Sequence, residues 1–255
     1  MRSTHAQAGT HPIVETKPAG TDAGAHHGKA HRGDKHDSKH SKHAKSAKPA
    51  KPAKPAKAAK VQSAPRRFLA AAIKSPRQVG AIIPSSRFLG RAMMRLADME
   101  NARTVIEYGP GTGTITSEIA RALHPQARFF AIELNESMAQ VFTRNHPNLK
   151  LYVRSVADVE QLCSDEKLPP ASVDVIISGL PWSVLPEALQ TELLEATARV
   201  LRPGGVMLTY GYHSGLLLSA GRKFSRALPR FFSKVTRSKP VWLNLPPAFV
   251  YRCEK

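Results

Sequence analysis

The run TVIEYGPGTG, Thr104 to Gly113, restricts what this chain can fold into more than any other part of it. Thr104 to Ile106 form a short β-branched run that reads as a strand, Glu107 adds an acid, and glycines follow at 109, 111 and 113. Beyond them Ile115, Ile119, Ala120 and Leu123 fall on one helical face. A strand, a glycine-rich turn and a helix N-terminus in that order let the backbone come close to a polar ligand and point its N–H groups at it. A nucleotide-type cofactor is implied. The nicotinamide fingerprint GxGxxG is not met, because it needs glycine at 114 or 116 and both are Thr.

The same rhythm continues downstream. ARFFAIEL reads as a second strand ending in Glu133, twenty residues past Gly113, where a carboxylate can accept hydrogen bonds from ribose hydroxyls. An acid there would also favour the dipole of a following helix, but position and motif together favour the ribose. LKLYVRSV and SVDVIISGLP read as third and fourth strands, Pro186 to Leu201 as a helix with Leu189, Leu193, Leu194, Val200 and Leu201 inward, and GGVMLTYGY as a fifth strand. A distal pair of strands is expected around Lys234 to Asn244 and Ala248 to Cys253, and a helix from Arg87 to Ala97 precedes the first strand. Alternating strands and helices call for a mostly parallel sheet with helices on both faces.

ExGxGxG with an acid at the next strand end resembles the class I S-adenosylmethionine-dependent methyltransferases. The resemblance implies a Rossmann-like α/β fold with a seven-stranded sheet whose last two strands form an antiparallel edge hairpin. It also implies S-adenosylmethionine as cofactor, held by Glu107, Gly109, Gly111, Gly113 and Glu133, with Ala157 and Asp158 of the loop after the third strand near the adenine.

Composition separates the chain into two parts. The first 67 residues hold 15 of the 38 Lys+Arg, 8 of the 11 His and none of the 16 aromatic side chains, so this stretch cannot bury a core. Residues 1–65 read as a disordered basic tail, with KPAKPAKPAKAAK extended by proline and charge repulsion, and residues 66–255 as the methyltransferase domain. Histidines 26 to 43 have no carboxylate or cysteine partners in metal-site spacing and read as a solvated tract, so no metal is expected. RRFLAAAIK from Arg66 reads as a short basic amphipathic helix, equally suited to packing on the domain or lying on lipid. With no apolar run near the ~18 residues of a membrane span and no secretory h-region, the chain is expected in the cytoplasm, held peripherally at the inner face of the membrane. Cys163 and Cys253 form no disulfide framework.

The residues after the fourth strand bear on the methyl acceptor. Ser178-Gly179-Leu180-Pro181-Trp182 stands where adenine N-methyltransferases carry Asn or Asp, then Pro-Pro or Leu-Pro, then an aromatic. Neither Ser178 nor Gly179 reproduces that amide, which demotes base methylation. SGLP together with GAIIPSS, LTYGY and VWLNLPPAFVYR resembles the bacterial phospholipid N-methyltransferases and related aminolipid enzymes over Phe68 to Arg252. That resemblance implies methylation of the amino head group of phosphatidylethanolamine or an ornithine lipid, with successive transfer to the trimethylated form left open. The alternative is an RNA adenine N6-methyltransferase of the dimethyladenosine transferase kind.

Ala196 to Cys253 contains ten Lys or Arg and no Asp or Glu, and GLLLSAGRKFSRALPRFFSK mixes aliphatic and cationic side chains. This suits an anionic bilayer interface better than nucleic acid, for which flat stacking side chains would be expected; a core-packed helix with a solvated basic face is the plainer reading. A lipid ammonium is mostly protonated at neutral pH, so something must take its proton. Tyr210 and His213 after the fifth strand are candidates, SGLPW is expected to position the amine, and Trp182, Tyr210 and Tyr212 offer faces to the growing cation.

Overall fold

The structure, a computed structural model, describes residues 85–255 except Leu218. The tail, the 66–74 helix and the domain boundary at 66 lie outside the described residues.

Seven strands form one sheet. They are β1 (Thr104–Tyr108), β2 (Arg128–Glu133), β3 (Leu151–Val153), β4 (Val173–Ser178), β5 (Leu201–Tyr212), β6 (Lys234–Arg237) and β7 (Ala248–Glu254), in the order β3-β2-β1-β4-β5-β7-β6. The first five are mutually parallel, and β7 runs antiparallel between β5 and β6. Among the described residues, α1 (Arg87–Met94) precedes the sheet, and α2 (Thr114–Ala122), α3 (Glu136–Asn145), α4 (Val159–Asp165), α5 (Glu187–Val200) and α6 (Ser219–Ala227) lie between its strands.

β1 lies inside the sheet between β2 and β4 with all five residues buried, which is why TVIEY shows no polar alternation. Its side chains still alternate between two cores. Val105 joins Leu89 and Met93 of α1, Ile115 and Ile119 of α2, and Val175, Ile177 and Val250 on one face. Ile106 and Tyr108 join Leu162 of α4, Leu189 and Leu193 of α5, and Phe224 of α6 on the other. The chain runs outward from β1 to β3 and then returns to place β4 on the other side of β1. That reversal opens a crevice beyond the carboxyl ends of β1 and β4, the usual ligand position in open α/β sheets.

Several boundaries differ from expectation, among them the start of β5 at Leu201 rather than Gly204. α1 stops at Met94, because Leu96 and Ala97 donate to carbonyls three residues back and tighten the end into turns. β3 is cut to three residues as an edge strand, and Ser155 caps a 3₁₀ turn where it was expected to continue. β6 ends at Arg237, and residues 238–247 leave the sheet apart from a bridge between Val241 and Ala248.

Candidate functional site

The loops after β1 and β4 are locked together at the crevice. The Gly109 N–H donates to Ile132 O at 2.9 Å, and the Gly179 N–H to Tyr108 O at 2.8 Å. A side chain at Gly179 would put its Cβ 2.6 Å from Gly109 O, a backbone atom that cannot turn aside. In this packing position 179 has no room for the side chain of Asn or Asp.

The three glycines of the first loop have positive φ, and a side chain at each would meet different surroundings. At Gly109 (φ +61°) a Cβ would touch Leu180 Cδ2 at 3.0 Å, and at Gly113 (φ +85°) it would lie 2.5 Å from His146 Nε2. At Gly111 (φ +57°) it would meet nothing within 4 Å, because Gly111 faces open space. That space is a cavity of about 250 Å³. Gly109, Gly111, Glu133, Gly179, Leu180, Pro181 and Tyr210 line it, all expected from the sequence. Ser85, Pro110, Thr112, Thr114, Ile115 and Met138 complete the wall and were not foreseen.

Glu133 shapes the floor. It is only 4% exposed, accepts from the Asn135 N–H at 2.8 Å and the Gly111 N–H at 3.2 Å, and so ties the end of β2 to the glycine loop. Burial pushes its carboxyl above the ordinary range, partly offset by these backbone donors. The loop is also braced from the end of α3, where Asn145 Nδ2 donates to Thr112 O and His146 Nε2 lies 3.1 Å from Gly113 O. Neither residue carried a sequence signal, since the contacts depend on how α3 ends.

Other expected residues stand behind the wall. Glu107 is fully buried on the α2 side, accepts from Thr116 Oγ1 at 2.7 Å and does not line the cavity. Burial pushes its carboxyl up to about 8, with the Thr116 hydrogen bond opposing and the Glu133 charge adding. The native state therefore holds a proton that the unfolded chain, with a carboxyl near 4.5, gives up. Stability from this group is full below about 4.5 and is lost as pH rises through about 8. Glu107→Gln is expected to flatten the thermal-melting profile of the ligand-free protein across that window and raise Tm at its upper end. An unchanged slope would contradict the protonated carboxyl.

Gly113 caps α2 from outside the cavity, and Ala157 and Asp158 also stay off it. They sit in the 3₁₀ turn after β3, where Ser155 Oγ accepts from the Ala157 N–H and Asp158 pairs with Arg154. Ser178 and Trp182 were expected beside the acceptor but turn into the core. Ser178 Oγ accepts from Trp182 Nε1 at 3.0 Å, and the indole, 2% exposed, stacks on Phe224 with ring centroids 5.6 Å apart. Trp182→Phe keeps the stack but loses the indole donor. It is expected to lower stability by about 1 kcal/mol or more with cofactor affinity unchanged; a selective loss of affinity in a calorimetric titration would return Trp182 to the site.

His213 also lies away from the cavity, between Trp242 and Phe249, with Nε2 buried and unpartnered. Tyr210 alone of the expected aromatic and basic pair reaches the cavity. Its phenol is raised by burial and hydrogen-bonded to Ser85 and Tyr212, so it is neutral near pH 7 and is no resident base.

Residues 105–205 match the family described as a methyltransferase domain. The chain is 32% identical over 190 residues, 73% of its length and 93% of the relative's, to the ornithine lipid N-methyltransferase of Singulisphaera acidiphila. The chain belongs to the aminolipid N-methyltransferase family of class I S-adenosylmethionine-dependent methyltransferases. It is also 25% identical over 115 residues to ribosomal RNA small subunit methyltransferase A of Thermotoga neapolitana, 44% of this chain but only 40% of that enzyme. Among solved structures, the O-methyltransferase of Bacillus cereus in complex with SAH matches with a TM-score of 0.52 at 17% identity, covering 78% of this chain and 94% of that one. A SAM-dependent methyltransferase from Aquifex aeolicus matches at 0.51 and 13%, covering 76% and 99%. These two show the shared fold. The protein is a methyltransferase with S-adenosylmethionine as cofactor, and the side-chain-free face at Gly111 beside the Glu133 carboxylate fits such a group.

Proposed function

We propose that this methyltransferase acts on the amino head group of a membrane aminolipid, an ornithine lipid or phosphatidylethanolamine, at an anionic membrane surface. The observation that carries the reading is the acceptor loop. Gly179 is packed on Gly109 with no room for the carboxamide or carboxylate that adenine enzymes place there. The full-length relative that acts on ornithine lipid supports the same class. When bound, S-adenosylmethionine supplies a methyl group on a sulfonium, transferred by in-line displacement. Gly109 and Gly111 would give it backbone access and Glu133 would accept hydrogen bonds from its hydroxyls, while Glu107 acts from behind by holding α2 to β1 through Thr116. Leu180, Pro181 and Tyr210 form the dry wall against which the amine is positioned, the Tyr210 ring offering its face to the cation. With the Tyr210 phenol neutral and His213 off the cavity, the ammonium proton leaves to water or to an oxygen of the lipid head group.

A second reading, RNA adenine methylation, has the partial likeness to the ribosomal RNA enzyme in its favour. Expression in a host without methylated lipids, with and without an ornithine lipid made in the same cells, separates the two. Mass spectrometry is expected to show gains of ~14 mass units per methyl on one lipid class, which names the head group. Unchanged lipids from cells that contain folded, cofactor-binding protein would refute the aminolipid reading.

A further inference from the structure

The segment between β6 and β7 is built inside out. Trp242, Leu243 and Leu245 are 70%, 68% and 78% exposed, while Asn244 between them is 1% exposed. Single exposed apolar residues are ordinary, but three large ones within four positions form a patch that marks an interaction site. The patch is held in place. Asn244 Oδ1 accepts from the Ser86 N–H at 2.9 Å, its Nδ2 donates to Pro246 O at 2.8 Å, and the Trp242 ring stacks on His213. Ser86 directly follows Ser85, which lines the cofactor cavity, so the tip is anchored beside the cavity wall. Next to Trp242 and Leu243, a cleft is lined by Arg95, Lys239 and Arg91, the last paired with Glu118, and no carboxylate lines the cleft itself.

α6 lacks this combination. Its Arg222, Lys223 and Arg226 are exposed, but Phe224 is buried, as are Leu228 and Phe232 after it, so they present no apolar surface to a partner. We propose that Trp242, Leu243 and Leu245 are a membrane-insertion finger, seating the cavity on an anionic bilayer. The indole and leucines enter the boundary between head groups and acyl chains, and Arg95 and Lys239 meet lipid phosphates. An anionic bilayer supplies in one surface both the apolar depth for a tryptophan beside leucines and the phosphates for Arg95 and Lys239. The inference rests on the aminolipid reading for its purpose but not for its test.

The chain has two tryptophans, and since Trp182 is buried, changes in emission report Trp242. The full chain mixed with vesicles of phosphatidylcholine plus phosphatidylglycerol is expected to show a blue shift and quenching by brominated acyl chains, both lost in Trp242→Phe. Replacing Trp242, Leu243 and Leu245 together by Ser is expected to reduce vesicle partitioning about tenfold or more with cofactor affinity intact. Arg95→Gln with Lys239→Gln is expected to remove much of the preference for phosphatidylglycerol. Vesicle binding with Trp242 emission unmoved overturns the proposal and puts the contact elsewhere. A blue shift that grows with protein concentration and no vesicles assigns the patch to a second copy; emission already blue and unmoved by vesicles assigns it to another part of the chain. Insertion without methylation of either lipid would leave the finger standing and defeat the aminolipid reading. Methylation of lipid in detergent micelles without insertion would do the reverse.

Discussion

Gly111→Val is expected to weaken S-adenosylmethionine binding by on the order of 100-fold or more while leaving the domain folded. A Cβ at this position meets nothing within 4 Å apart from its chain neighbours and opens into the cavity, so the side chain grows toward whatever enters it. The φ of +57° adds strain of about 1–2 kcal/mol, which should lower Tm by about 2–8 °C. The larger effect falls on the ligand. It must give up its contact with the loop and absorb overpacking of about 1–3 kcal/mol, each 1.4 kcal/mol being tenfold in affinity. Gly111→Ala should give a smaller loss in the same direction. Calorimetric titration beside a thermal melt checks both, and near-normal affinity in a folded Gly111→Val protein would mean that the cofactor does not approach this face.

Gly179→Asn is expected to lose activity by on the order of 100-fold or more and to gain none toward adenine. Its Cβ would fall 2.6 Å from Gly109 O, and the clash can be relieved only by parting the loops that the Gly179 N–H joins to Tyr108 O. Displacements of this kind near reacting groups cost about 100-fold, and the overpacking should destabilise the fold by about 1–3 kcal/mol. Gly179→Ala should share most of the defect, since the clash arises at Cβ. Methylation of an adenine oligonucleotide by Gly179→Asn would show that the loop can open and would revive the RNA reading.

Much of this was legible in the chain. The parallel sheet and its helices follow from runs such as TVIEY and VDVIIS, whose apolar character on both faces suits central strands only. Gly109, Gly111 and Glu133 could be placed at the cavity because glycine at a strand end and an acid at the next strand end have few other uses, and Leu180 and Tyr210 through the resemblance carried by SGLP and LTYGY. The direction of a side chain was less accessible. Ser178, at the end of β4, and Trp182, in the loop after it, read as part of a site, yet they bond to each other and the Trp182 ring stacks on Phe224, some forty residues along the chain. The cations of α6 suggested a lipid face, but whether Phe224 points to lipid or to the core is set by Trp182 and Tyr251, to which sequence spacing gives no access. The exposed Trp242 finger was hidden for a related reason: VWLNL reads as a strand, and the buried Asn244 that turns it inside out is fixed by Ser86 far upstream.

The most direct test of aminolipid methylation offers the purified chain both acceptors at once. Methyl-labelled S-adenosylmethionine is added to mixed vesicles containing an ornithine lipid and phosphatidylethanolamine, together with unmodified small-subunit ribosomal RNA. After extraction, the label is expected in the organic phase on one of the two lipids, with Gly111→Val giving none. Label on the RNA with both lipids unmodified would contradict aminolipid methylation and assign the acceptor to the nucleic acid.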